Sequence, residues 1–222
     1  MIDSLYQLYD IPPHERRYLI LATPRTGSSS FQRSLQICTD LNIHSPIDSP
    51  FDEDKFLKGL EKYKKGVITK IDPCKQSEEF LDNLIPRYHR VVVIIRENIV
   101  DHALSNTRAG LYHYDGVYDM DEETEKKVQH KKLKPTVIAS AMSQTSNALR
   151  LAIKHNIPIF TYETLFNGIG EDLWKTLKEF GIKWKDIGDE KFNKVQQLMH
   201  PGNKYTNKNS ILKNTKGEIK FI

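Results

Sequence analysis

The chain is 222 residues long and carries a formal net charge of +4, with 38% hydrophobic and 28% charged residues. That balance excludes a disordered polymer, and no run approaches the roughly 18 consecutive apolar residues that a membrane-spanning helix needs. The mild basicity, with a pI near 8.8, points to an anionic ligand, and no basic stretch interleaved with aromatics marks a nucleic-acid surface.

The length suits one domain covering 1–222. The opening MIDSLYQLYDIPPHERR carries acids and prolines where a secretory signal has a basic start and an apolar run, so a cytoplasmic location is expected. Cys38 and Cys74 are too few for a disulfide framework or a clustered metal site, and are expected to be reduced, buried thiols. Neither a membrane nor a nucleic acid is expected as a partner, and a homo-oligomer is compatible with these features.

In chain order, the first apolar β-type run is Tyr18 to Ala22, and it leads into TPRTGSSS and a helical pattern over Ser28 to Thr39. A strand, a Gly-bearing turn and a helix N-terminus offer backbone N–H groups to an anion, and Ser28, Ser29 and Ser30 add hydroxyls. Helix capping accounts for one serine; it does not account for Arg25 beside Gly27 and three serines in a row. The segment therefore reads as a phosphate cradle. It is not the loop of an ATP- or GTP-using P-loop enzyme, because Gly27 is followed by Ser28 and not by a Lys-Ser/Thr pair.

The stretch HSPIDSPFDEDKF, residues 44–56, reads as a loop running into a helix over Asp52 to Lys64. A strand over Val67 to Ile71 carries TKID, and a helix over Ser77 to Ile85 follows. The run VVVII, Val91 to Ile95, has no polar alternation and is expected at the centre of the sheet. It ends in Arg96, where a metal-using P-loop enzyme tends to have an acid, and no metal is expected. A helix from Asn98 to Ala109 puts Ser105 about two turns along, on a face that looks back toward the strand end. Gly110 to Leu133 is polar and aperiodic, with Tyr112, His113, Tyr114 and Tyr118, and reads as a lid or acceptor loop. Then come a helix over Pro135 to Asn156, a strand over Ile157 to Thr161, a helix over Gly170 to Phe180 and a basic tail over 201–222. Alternating strands and helices predict an α/β fold, a P-loop-like three-layer arrangement with a central, mostly parallel sheet.

Two motifs together resemble the PAPS-dependent sulfotransferases, PAPS being 3'-phosphoadenosine 5'-phosphosulfate. TPRTGSSS is similar to their 5'-phosphosulfate loop, and Arg96 with Ser105 is similar to the pair that grips the 3'-phosphate. The spacing, with Arg108 three residues beyond Ser105, is most similar to the bacterial carbohydrate and trehalose-type enzymes; Glu97 departs from a branch that often has a second Arg there. TYETL, Thr161 to Leu165, resembles the family's element beside the donor pocket, and it makes Tyr162 a pocket candidate, although packing and capping would also account for Tyr162 and Glu163. Lys204 in the tail is either a 3'-phosphate contact or a solvated charge.

The resemblance implies transfer of a sulfuryl group from PAPS to a hydroxyl of a small-molecule or carbohydrate acceptor, releasing the 3',5'-bisphosphate PAP. The donor-binding set is then Arg25, Thr26, Gly27, Ser28, Ser29, Ser30, Arg96, Ser105 and Tyr162, with Arg25 also catalytic. For the general base, Asp48 leads because it lies ahead of Phe51 as a Glu precedes an aromatic in the carbohydrate branch. His44 and Asp72 are the rivals: Asp72 falls where the small-molecule enzymes have a His, and it also stands before Pro73, where it would shape a turn. Lys70 is a donor-side or structural cation. A noncatalytic PAP or nucleotide-binding module and a degenerate P-loop kinase are the alternatives.

Overall fold

The computed structural model describes residues 10–44, 52–63, 66–111, 133–167 and 171–199. Asp48, all but the ends of the lid segment 110–133, and the tail 201–222 with Lys204 lie outside these residues. Five strands form one sheet: β1 (Arg17–Ala22), β2 (Asn42–His44), β3 (Val67–Ile71), β4 (Arg90–Ile95) and β5 (Ile159–Thr161). Their order is β2-β3-β1-β4-β5, and every pairing is parallel. The middle place belongs to β1; β4, which its unbroken apolar run had put at the centre, lies one position over. Both are interior strands, and burial on two faces is what removes polar alternation from each.

The period of two divides the strands between two cores. Tyr18, Ile20, Ala22, Ile68, Val92 and Ile94 face one layer, and Leu19, Leu21, Val67, Ile71, Val93 and Ile95 face the other. The first layer is built from α1 (Ser28–Thr39), α6 (Tyr162–Asn167), α7 (Glu171–Glu179) and α8 (Trp184–Met199). The second is built from α2 (Glu53–Glu61), α3 (Glu78–Leu84) and α5 (Pro135–Lys154). The remaining helix, α4 (Ile99–Leu111), packs against α5.

Local chemistry sets the helix ends. Asp52 caps α2 by accepting from the Lys55 amide at 2.8 Å, Ser77 caps α3 through the Phe80 amide at 3.1 Å, and Pro135 opens α5. In α1, Phe31, Leu35 and Cys38 recur on one face and enter the first core. Arg16 is fully buried; its Nη1 donates to the Gly181 carbonyl at 2.7 Å and its Nε to the Ile11 carbonyl at 2.8 Å. The Tyr18 hydroxyl donates to the Phe180 carbonyl at 2.9 Å, so the turn after α7 is tied to the start of β1. Cys38 is buried as expected, and burial pushes its thiol up to about 12. Cys74 is not: it sits exposed beyond β3, because the turn at Pro73–Lys75 carries it out of the sheet layer. Among the described residues, no helix is long and apolar enough to cross a membrane.

Candidate functional site

Chain order and sheet order together fix where a site can form. From β1 the chain crosses to β2 and β3 on one side, then to β4 and β5 on the other. The crevice at such a reversal, beyond the carboxyl ends of the strands, is where open α/β sheets take ligands. The segment after β1 is the predicted cradle.

Its backbone is unusual. Arg25 has φ 68° and Gly27 has φ 75°, so left-handed residues flank Thr26. A non-glycine residue in this region carries a conformational cost of about 1–3 kcal/mol and persists where its surroundings over-determine it. The surroundings here do so. Thr26 Oγ1 donates to the Thr23 carbonyl at 2.9 Å, Arg25 Nε donates to Ser105 Oγ at 3.1 Å, and the His102 ring nitrogen Nε2 lies 2.9 Å from the Pro24 carbonyl. Gly27 is the N-cap of α1 and offers no side-chain cap, which leaves the first-turn amides of Ser28, Ser29 and Ser30 directed at the crevice. A Cβ on Gly27 would collide with the Phe166 ring, so the loop lies directly on α6.

Lys70 reaches the same loop from β3. Its Nζ donates to Ser29 Oγ at 2.7 Å, and burial, with Arg33 nearby, lowers its pKa. Register explains the direction: Lys70 pairs with Ile20 and shares its phase, the phase of the α1 layer. Asp72 continues that phase at the strand end. Its carboxylate accepts from the Cys74 amide at 3.0 Å and so shapes the turn, while burial raises its pKa. His44 falls on the opposite phase. It pairs with Thr69, stacks on Phe56 at 4.7 Å between ring centroids, and lies 5.3 Å from Tyr63. Burial lowers its pKa, and Nε2 is a buried atom without a hydrogen-bond partner among the described residues. The sheet therefore stands between the His44 ring and the Ser29–Lys70 pair.

Arg96 follows β4 and is 5% exposed. Its Nη2 lies 3.5 Å from Asp101 and its Nε 3.9 Å from Glu163, and its guanidinium carbon stands 4.3 Å from the centroid of the Tyr162 ring. The Arg96 Nε is itself a buried atom with no hydrogen-bond partner among the described residues, an orphaned donor of the kind an oxyanion would satisfy. Glu163 also accepts from the Glu97 and Asn98 amides at 3.0 and 3.2 Å, and Asn98 caps α4 through the Asp101 amide at 3.0 Å. Tyr162 stacks on Phe166 at 4.5 Å, beneath Gly27.

The structure thus brings together Arg25, Thr26, Gly27, the three serines, Ser105 and Lys70, with Arg96 and Tyr162 adjoining through α6. Sequence reasoning passed over His102, Asp101 and Phe166, and it saw Glu163 only as a local cap. Their contacts span 65 residues or more for Glu163 and 78 for His102, a separation that leaves no trace in local spacing. Among the described residues, no three His, Cys, Asp or Glu side chains gather as metal ligands.

No family model matches the sequence, and no curated protein matches it. Among solved structures, the crystal structure of mouse sulfotransferase SULT7A1 complexed with PAP is similar, with a TM-score of 0.52 and 14% identity over 89% of this chain and 68% of that one. At that identity the likeness is one of fold: a parallel sheet flanked by helices.

Proposed function

We propose that this protein transfers a sulfuryl group from PAPS to a hydroxyl of a small-molecule or carbohydrate acceptor. One observation carries the reading: the Arg25–Ser105 hydrogen bond joins the two motifs that resemble the 5'-phosphosulfate and 3'-phosphate elements, 80 residues apart in the chain. The likeness in fold to a PAP-bound sulfotransferase supports it, and the carbohydrate preference rests on the resemblance in motif spacing alone.

The donor set fits a bisphosphate. The first-turn amides and the serine hydroxyls would hold the 5'-phosphate, and Arg96 with Ser105 would hold the 3'-phosphate. PAPS supplies the activated sulfur, whose bond to the phosphate oxygen breaks as the acceptor oxygen forms its own. Arg25 and Lys70 stabilise the charge that grows on the departing oxygen. Arg25 keeps its proton at working pH and acts as a hydrogen-bond donor, not an acid.

A base takes the hydroxyl proton. We assign that role to Asp72 ahead of His44, because Asp72 shares the strand phase of Lys70 and its raised pKa makes it a better proton acceptor than an ordinary aspartate. Asp48 remains its rival. The decisive experiment is a thermal shift with PAP set against Mg–ATP, followed by turnover with PAPS and a panel of hydroxyl acceptors. PAP at 100 times its Kd adds about 2.7 kcal/mol, or roughly 5–10 °C for a chain of this size. A shift with Mg–ATP alone would overturn the reading, and PAP binding without turnover would leave a binding module.

A further inference from the structure

We propose that His102 is the positioning residue that clasps the phosphate loop, acting through the Pro24 carbonyl. The imidazole is completely buried in α4, and Nε2 lies 2.9 Å from the Pro24 oxygen. A carbonyl only accepts, so Nε2 carries the proton. The other ring nitrogen, Nδ1, is a buried atom with no hydrogen-bond partner among the described residues. A second proton there would add a buried charge with no acceptor, close to the Arg96 cation; burial accordingly holds the imidazole pKa below its ordinary value, and the ring stays neutral.

What this one bond holds is specific. Pro24 immediately precedes the left-handed Arg25. His102 and Ser105 lie three apart on α4, hence on one helix face, and grip successive residues: the backbone at Pro24 and the side chain of Arg25. The helix therefore fixes both where the loop runs and where the Arg25 guanidinium points. Pro24 itself is exposed, so water can satisfy its carbonyl once the clasp is released. Losing the bond then opens the loop without leaving an orphaned group in the core.

The clasp stands on this geometry, and only its effect on donor binding rests on the sulfotransferase reading. The test compares His102→Leu, which fills the space without a donor, with His102→Gln, whose side-chain amide can restore an N–H near Nε2. Trypsin cleavage of the Arg25–Thr26 bond, followed by mass spectrometry on the folded protein, reads loop opening directly; urea unfolding reads global stability. One hydrogen bond corresponds to roughly a five- to tenfold faster cut in His102→Leu, with His102→Gln close to the unmutated protein and urea midpoints little changed. Equal cutting in the two variants would overturn the clasp, as would an acceleration that tracks the urea midpoint. PAP titration supplies the second arm: His102→Leu binds PAP roughly five- to tenfold more weakly and His102→Gln does not. Should the unmutated protein fail to bind PAP, the functional reading falls and proteolysis alone decides the clasp. Should it bind PAP while His102→Leu opens the loop without weakening that binding, the positioning role is overturned.

Discussion

Replacing Gly27 with alanine separates backbone strain from collision in a single position. The residue has φ 75°, and an added Cβ would strike Phe166 Cε2, lie 2.6 Å from Phe166 Cζ, and lie 3.0 Å from Tyr162 Cδ2. The left-handed backbone costs alanine about 1–2 kcal/mol, and overpacking adds about 1–3 kcal/mol, so Gly27→Ala should lose roughly 2–5 kcal/mol. The two terms part company in a double-mutant cycle with Phe166→Leu. Leucine lacks the Cε and Cζ atoms that the new methyl would meet, so in that background the backbone term remains with only the milder Tyr162 contact beside it. Urea unfolding of the four proteins should give a coupling of about 1–3 kcal/mol, with Gly27→Ala milder once Phe166 is leucine. An equal cost in both backgrounds would refute the collision and, with it, the claim that the cradle rests directly on α6.

Arg96→Ala should weaken PAP binding roughly 10- to 100-fold while changing the affinity of an analogue without the 3'-phosphate far less, as calorimetry would read; equal weakening makes Arg96 structural. Asp72→Asn should lower turnover about a hundredfold with PAP affinity kept, and unchanged turnover would pass the role to Asp48. The pH profile carries the same assignment: only the Asp72 carboxylate can accept a proton, so the acid limb of kcat/KM should lie above the ordinary 3.8, and its absence would exclude Asp72. For stability the sign runs the other way. A folded pKa above the unfolded one contributes stability below 3.8 that is lost as pH rises through the raised value, and urea midpoints should lose that slope in Asp72→Asn.

The sequence made β1, β3, β4 and α1 legible because each is long, apolar and bounded by turn chemistry. The strand expected at Ile157 to Thr161 begins two residues later, since Pro158 gives its carbonyl but has no N–H for the ladder. Three elements escaped, the first of them the six-residue α6, which follows β5 without a break. β2 is three residues at a sheet edge, too short for any period to declare itself. In α8, Ile187, Phe192, Val195 and Met199 are buried, but Gly188 at φ 59° and ψ −177° breaks the helix between Ile187 and Phe192 and throws off the spacing. The strand–turn–helix course from β1 through Gly27 into α1 was readable because its residues are contiguous. Lys70 was visible as a cation and not as a partner of Ser29, since which neighbour it meets is decided by the β1–β3 register. Likewise, His44 had the right chemistry and the wrong strand phase, and phase in a three-residue strand is settled only by its neighbour.

The tie between the start of β1 and the turn after α7 also orders events during synthesis. Tyr18, Phe31 and Leu35 share a core with Phe180, Val195 and Met199, so their cover is translated well over a hundred residues later. At ordinary elongation rates that interval is on the order of ten to thirty seconds. Throughout it the nascent chain exposes the aromatic face of its middle strand, and Arg16 waits for the carbonyl of Gly181. A ribosome stalled before α7 therefore holds a sheet with one face only partly covered, a natural client for a chaperone, and the loop after β1 cannot settle until α6 arrives to lie under Gly27.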